Sequence, residues 1–93
     1  MKVVYTEEAL RNLDDISDYI RQNYPTISEA FRLRLQFVGA RIAKWPESAQ
    51  EVADQSDVRV VPLVRYPYKV FYRVSNQTVE ILHVHHAARD VQL

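Results

Sequence analysis

The chain has 93 residues, 47% of them hydrophobic and 11% aromatic, which supports one core and excludes a disordered polymer. Twelve Lys and Arg balance 12 Asp and Glu, whereas a protein that grips many phosphates needs an excess of cations. There is no cysteine, so a disulfide framework and a thiolate metal site are both excluded, and a single domain over 1–93 in a reducing cytoplasm is expected.

No apolar run reaches the length of a membrane span, and Met1 leads into a charged, strand-like segment unlike a signal peptide. The charge is unevenly placed: residues 46–57 carry four acids and no base, while residues 58–93 carry five bases and two acids.

Lys2-Val3-Val4-Tyr5 reads as a first strand. Thr6 is a good N-cap, and Glu7 and Glu8 suit the positive end of a helix. Leu10, Leu13, Ile16, Ile20 and Tyr24 recur at helical spacing and predict one apolar face. The helix should end near Asn23, because Tyr24 precedes Pro25. Thr26-Ile27-Ser28-Glu29 fits a capping box for a second helix, which Pro46 stops after Trp45. Phe31, Leu35, Val38, Ile42 and Trp45 make a packing seam along it. Leu33, Phe37 and Ala40 form a second apolar stripe on nearly the opposite side. Either the two stripes pack on the first helix and on a sheet, or the second stripe is open to a partner. Gly39 costs about 1 kcal/mol relative to Ala in a helix, and close approach of another backbone would account for it. The short connection predicts an antiparallel helical hairpin.

The stretch from Glu47 to Asp57 reads as an exposed acidic loop. Val58 to Val64 reads as a strand with Pro62 at an edge or bulge. Tyr68, Val70, Tyr72 and Val74 alternate with Lys69 and Arg73 in the next strand. Ser75-Asn76-Gln77 makes a turn, and Thr78 to His86 is the last strand. The expected class is α+β: an N-terminal strand, the helical hairpin, then a three-stranded antiparallel meander, a four-stranded sheet in all.

Several of these segments, in this order, resemble the ParE/RelE toxin superfamily across nearly the whole chain. They are Val4-Tyr5-Thr6-x-x-Ala9, Leu13-x-x-Ile16-x-x-Tyr19-Ile20 and Trp45-Pro46. Arg59, the run from Tyr66 to Val74, and Val79-x-Ile81-Leu82-x-Val84-x-His86-x-x-Arg89 follow. The resemblance implies a β-α-α-β-β-β toxin of a type II toxin–antitoxin system, associated with growth arrest and plasmid stabilisation. It also implies a hetero-oligomer with a cognate antitoxin that carries its own DNA-binding domain. ParE-like members poison DNA gyrase without being enzymes, and RelE-like members cleave messenger RNA, usually on the ribosome. The neutral charge and the ending Asp90-Val91-Gln92-Leu93, which lacks a tyrosine, resemble the ParE branch more closely.

For gyrase binding the candidates are Arg59, Arg65, Tyr68, Arg73 and Arg89. Cleaving RNA without a metal needs a base, an acid and cations on the phosphate; Arg59, Arg65, His83, His86 and Arg89 are the residues for that alternative. On a strand His83 and His85 share one face, where they offer half a metal site at most, and His86 points the other way with Leu82 and Val84. His86 is thus either a hydrogen-bonded residue beneath the sheet or a proton carrier. Neither a metal nor another cofactor is expected. Leu33, Phe37 and Ala40 are the candidate antitoxin surface. A third reading is an α+β interaction module without toxicity.

Overall fold

The computed structural model describes residues 1–88. In chain order they form β1 (Lys2–Tyr5), α1 (Glu7–Asn23), a 3₁₀ turn (Pro25–Ile27) and α2 (Ser28–Lys44). Then come β2 (Gln50–Val52), β3 (Gln55–Pro62), β4 (Tyr68–Ser75) and β5 (Thr78–His86). The strands make one mixed sheet in the order β1-β5-β4-β3-β2, with β1 parallel to β5 and the other pairs antiparallel.

The expected α+β arrangement is present, but the sheet has five strands and not four. The extra strand, β2, lies in the stretch read as an acidic loop, and Val52 pairs with Gln55 across a tight turn. Its residues carry no apolar alternation because β2 is an outer strand that is largely exposed. β3 accordingly starts at Gln55 and ends at Pro62, earlier at both ends than the valine run suggests. Pro62 pairs with Lys69 of β4 and lies beyond the stretch that β2 covers, so its missing N–H falls where the ladder is one-sided.

Thr6 caps α1 as expected, its hydroxyl accepting from the Ala9 N–H at 3.1 Å. The α1 stripe is narrower than the spacing implies. Ala9, Ile16 and Ile20 are buried, whereas Leu10 and Tyr24 at its two ends are exposed. The capping box at Thr26 does not form. Pro25 opens the 3₁₀ turn, and α2 starts at Ser28 with Ile27 at its N-cap and no side-chain cap. On α2, Phe31, Val38 and Ile42 are buried, but Trp45 is not. Gly39 has no close neighbour: a Cβ built there meets nothing within 4 Å, so the expectation of a nearby backbone is wrong.

Both helices pack on one face of the sheet, their buried residues joining Leu63, Val70, Tyr72, Val79, Ile81 and Val84 in one core. A bulge makes that core possible. Phe71 pairs with His83 and Tyr72 with Ile81, so Leu82 is an extra residue on β5. Val84 stands three positions after Ile81, and regular alternation would put them on opposite faces. With Leu82 inserted, both are buried.

At the other end of β5 the chain reverses tightly through Asn76 and Gln77, both at positive φ (52° and 61°). Ser75 pairs with Thr78 across them, which is the hairpin of mirror-image turn geometry.

Candidate functional site

Two of the three nominated cations that the structure describes are engaged within the fold. Arg59 on β3 donates to the backbone carbonyls of Glu47 (3.0 Å) and Ala49 (2.7 Å) and to the Glu51 carboxylate (3.2 Å). It ties the segment after α2 to the sheet. Arg73 on β4 donates to Glu80 across the strand pair at 3.0 Å. Arg65 stands in the loop between β3 and β4, exposed, and its side chain has no bonding partner among the described residues. Arg89 lies outside the described residues.

The histidines divide between the two faces of the sheet. His83 and His85 stack with ring centres 5.2 Å apart, on the face turned away from the helices. Phe71 lies edge-on to His85 at 6.1 Å, and Nδ1 of His83 is buried without a hydrogen-bond partner among the described residues. His86 sits at the end of β5 on the other face but is exposed, which corrects the expectation that it lies beneath the sheet. Here β5 outruns the cover of the helices, and the ring borders an open groove of about 660 Å³. Asp15, Tyr19, Tyr24, Tyr66 and Tyr68 line the groove with it. His86 is hydrogen-bonded nonetheless. Its Nδ1 accepts from the Ala88 N–H at 3.1 Å, which puts the ring proton on Nε2. Tyr68 is half-buried between the rings of Phe31 (5.8 Å) and His86 (5.5 Å). Burial, and then the neighbouring Tyr19, hold its hydroxyl above the ordinary phenol range. Among the described residues, no three histidine, aspartate or glutamate side chains gather to hold a metal.

The second stripe of α2 is open. Leu33 and Phe37 are each about half exposed, 51% and 50%, and Ala40 is exposed with them. The first stripe carries the helix–sheet packing by itself. Phe37 is sandwiched by cations one turn either side, Arg34 at 5.0 Å and Arg41 at 6.0 Å from its ring centre. Arg41 also approaches Trp45 (5.7 Å), and the Lys44 ammonium lies 4.8 Å from the same ring. Sequence reasoning missed these cations, although Phe37, Arg41 and Trp45 stand at i, i+4 and i+8 and share a face. It also missed the aromatic groove, because Tyr19 and Tyr24 reach it from α1 and the turn beyond, far in sequence from Tyr66 and His86.

Two helices on one face of a five-stranded mixed sheet, with a stripe of apolar and cationic side chains left open on α2, define a small α+β domain among the described residues. The chain belongs to the ParE toxin family of type II toxin–antitoxin systems (parDE), whose model matches residues 3–91. Toxin RelE2 of Caulobacter vibrioides is 36% identical over 89 residues, 95% of this chain and 97% of that one. The fold is similar to that in the chromosomal ParDE toxin–antitoxin system from P. aeruginosa. There the TM-score is 0.67 at 21% identity, covering 92% of this chain and 95% of that one. It is likewise similar to the intact E. coli RelBE toxin–antitoxin complex, with a TM-score of 0.61 at 20% identity over 95% and 98% of the two chains.

Proposed function

We propose that this toxin is not an enzyme and acts by binding DNA gyrase, until an antitoxin with a DNA-binding domain silences it in a hetero-oligomer. The carrying observation is that the groups an RNA-cleaving centre needs are not assembled among the described residues. Such a centre needs a base, an acid and phosphate-holding cations within reach of one another. Arg59 is held by Glu47, Ala49 and Glu51, and Arg73 by Glu80. His83 faces away from His86 across the sheet. What remains presented among the described residues, Arg65 and the half-buried Tyr68, suits a contact surface for a protein target.

The open α2 stripe of Leu33, Phe37 and Ala40 supplies the antitoxin surface, since apolar area of this kind is a ready anchor for an amphipathic segment. That the similar RelE of E. coli occurs in a complex with its antitoxin supports this reading.

One observation favours ribonuclease activity as the second reading. His86, with Nε2–H available, borders a groove of tyrosines on which an unstacked base could lie. Purified toxin incubated with gyrase and plasmid, and separately with ribosomes and message, distinguishes the two. Lost supercoiling or trapped cleaved DNA with intact message is the expected result. Cut message with unimpaired gyrase overturns it.

A further inference from the structure

Between α2 and the end of β3 lies a notch of about 390 Å³, distinct from the tyrosine groove. Its floor is apolar, made by Val38, Ile42, Val61 and Tyr72, and Phe37 and Val64 stand at its sides. Val64 is the unusual residue. It is 73% exposed, and its φ of 66° lies in the left-handed region that a β-branched side chain rarely adopts. The Arg65 N–H donates to the Leu63 carbonyl at 2.7 Å, closing a three-residue γ-turn with Val64 at its strained centre. The neighbouring contacts hold the turn in place. Leu63 is fully buried, its N–H donates to Tyr68 O at 3.0 Å, and its carbonyl also accepts from Arg34 Nε at 2.8 Å. The fold therefore sustains backbone strain in order to hold an aliphatic side chain out in water beside Phe37. Strain kept by its surroundings in this way is a feature of binding sites.

The charged residues that line the notch are both cations. Arg34 and Arg41 line it, and Lys44 follows one turn on. None of the three is ion-paired among the described residues, where the paired arginines are 11, 21, 32, 59 and 73.

We infer that this notch is the specificity pocket for the antitoxin, and that it takes an acidic amphipathic segment. An apolar side chain of the segment seats between Phe37 and Val64, and carboxylates flanking that side chain pair with Arg41 and Lys44. This rests on the reading that an antitoxin binds α2, and adds the chemistry of the segment and the role of the γ-turn. A nucleic acid fits less well. The floor and Val64 offer aliphatic surface instead of the aromatic platform on which successive bases stack.

The test is calorimetric titration of the full chain with the antitoxin encoded beside it, at low and high salt, for the wild type, Val64→Gly and the double variant Arg41→Glu/Lys44→Glu. Glycine accepts positive φ freely, so Val64→Gly should melt no lower than the wild type yet bind about tenfold or more weakly. The double variant should also lose about tenfold or more, together with most of the salt dependence. Antitoxin binding within about twofold across all three proteins overturns the notch while leaving the antitoxin reading intact. No binding to the wild type overturns both. Displacement of the antitoxin by a single-stranded RNA of about twelve nucleotides, abolished in the double variant, assigns the notch to nucleic acid and overturns the proposal.

Discussion

The Asn12 side chain of α1 accepts a hydrogen bond from the backbone N–H of Val84 on β5 at 3.0 Å. β1 pairs with β5 only from Thr78 to Ile81, so past that point no strand of the described residues lies beside the outer edge of β5. The start of α1 takes over the role. Thr6 N–H donates to Ile81 O (3.0 Å), Thr6 Oγ1 donates to the carbonyl of the bulged Leu82 (3.1 Å), and Asn12 receives Val84. Three successive polar groups of an open edge are satisfied by the helix and its cap, so the edge offers no template for a further strand.

Replacing Asn12 should therefore be costly for one polar side chain on a helix. Asn12→Ala leaves the Val84 N–H without its acceptor beside a buried side chain and should cost about 1–3 kcal/mol of stability. Asn12→Asp retains an acceptor oxygen and should lose less. Urea denaturation measures both, and an Asn12→Ala midpoint equal to that of the wild type rules the bond out as a stabilising contact.

Gly39 gives the opposite sign. It sits in the interior of α2 with open space where a Cβ would go. Gly39→Ala should stabilise the protein by about 1 kcal/mol, the helix-propensity difference, because nothing needs to move to admit the methyl group. A lower melting temperature for the variant contradicts this.

The order of elements was legible in the sequence because it rests on local signals: the Thr6 cap, Pro25, Trp45-Pro46, and the alternation through Tyr68 and Tyr72. β2 was not, since an exposed outer strand needs no apolar period and owes its position to Arg59, seven residues downstream of Val52. The Leu82 bulge was hidden for a related reason. Its one-residue offset shows only when Ile81 and Val84 are both found in the core. The candidate site was legible as residue types but not as partnerships. Arg59 and Arg73 look alike in the sequence to Arg65, and only the fold shows which of them are engaged. Val64 reads as one more strand valine, because backbone strain has no signature in side-chain pattern.

Tyr72 ties the core to pH. It is fully buried, its hydroxyl donates to Pro46 O at 2.6 Å, and burial raises its pKa despite the opposing effects of Arg59 and the Ala49 backbone. The unfolded chain loses this proton near the ordinary phenol value of about 10, while the folded chain still holds it. Stability is thus complete below that pH and is lost as pH rises through the folded pKa. Tyr5, also raised by burial, adds to the same trend. Tyr72→Phe should cost about 1 kcal/mol at neutral pH from the lost hydrogen bond and should flatten the decline in stability between about pH 9 and pH 11. Identical alkaline slopes for the two proteins would falsify the assignment.

Phe37 is half exposed and lies outside the core, so a charge there should barely disturb folding. Phe37→Asp should keep the wild-type melting temperature to within a few degrees, about what 1 kcal/mol shifts in a domain of this size. It should nevertheless weaken antitoxin binding about tenfold or more, as loss of a central aromatic anchor does. Equal affinities by calorimetry remove α2 from the antitoxin interface.

Arg59 separates a structural role from a target contact. Its guanidinium satisfies two backbone carbonyls and one carboxylate, and a lysine cannot reproduce that planar fork. Arg59→Ala should lower stability by about 1–3 kcal/mol, and Arg59→Lys should recover little of it although the charge is kept. Any loss of growth arrest should then follow the loss of folded protein in both variants. If Arg59→Ala instead unfolds at the wild-type denaturant midpoint and growth arrest alone disappears, the side chain belongs to the target-binding surface. Arg65 offers the contrast within the same assay: exposed and without a partner among the described residues, it should affect growth arrest and leave the midpoint where it was.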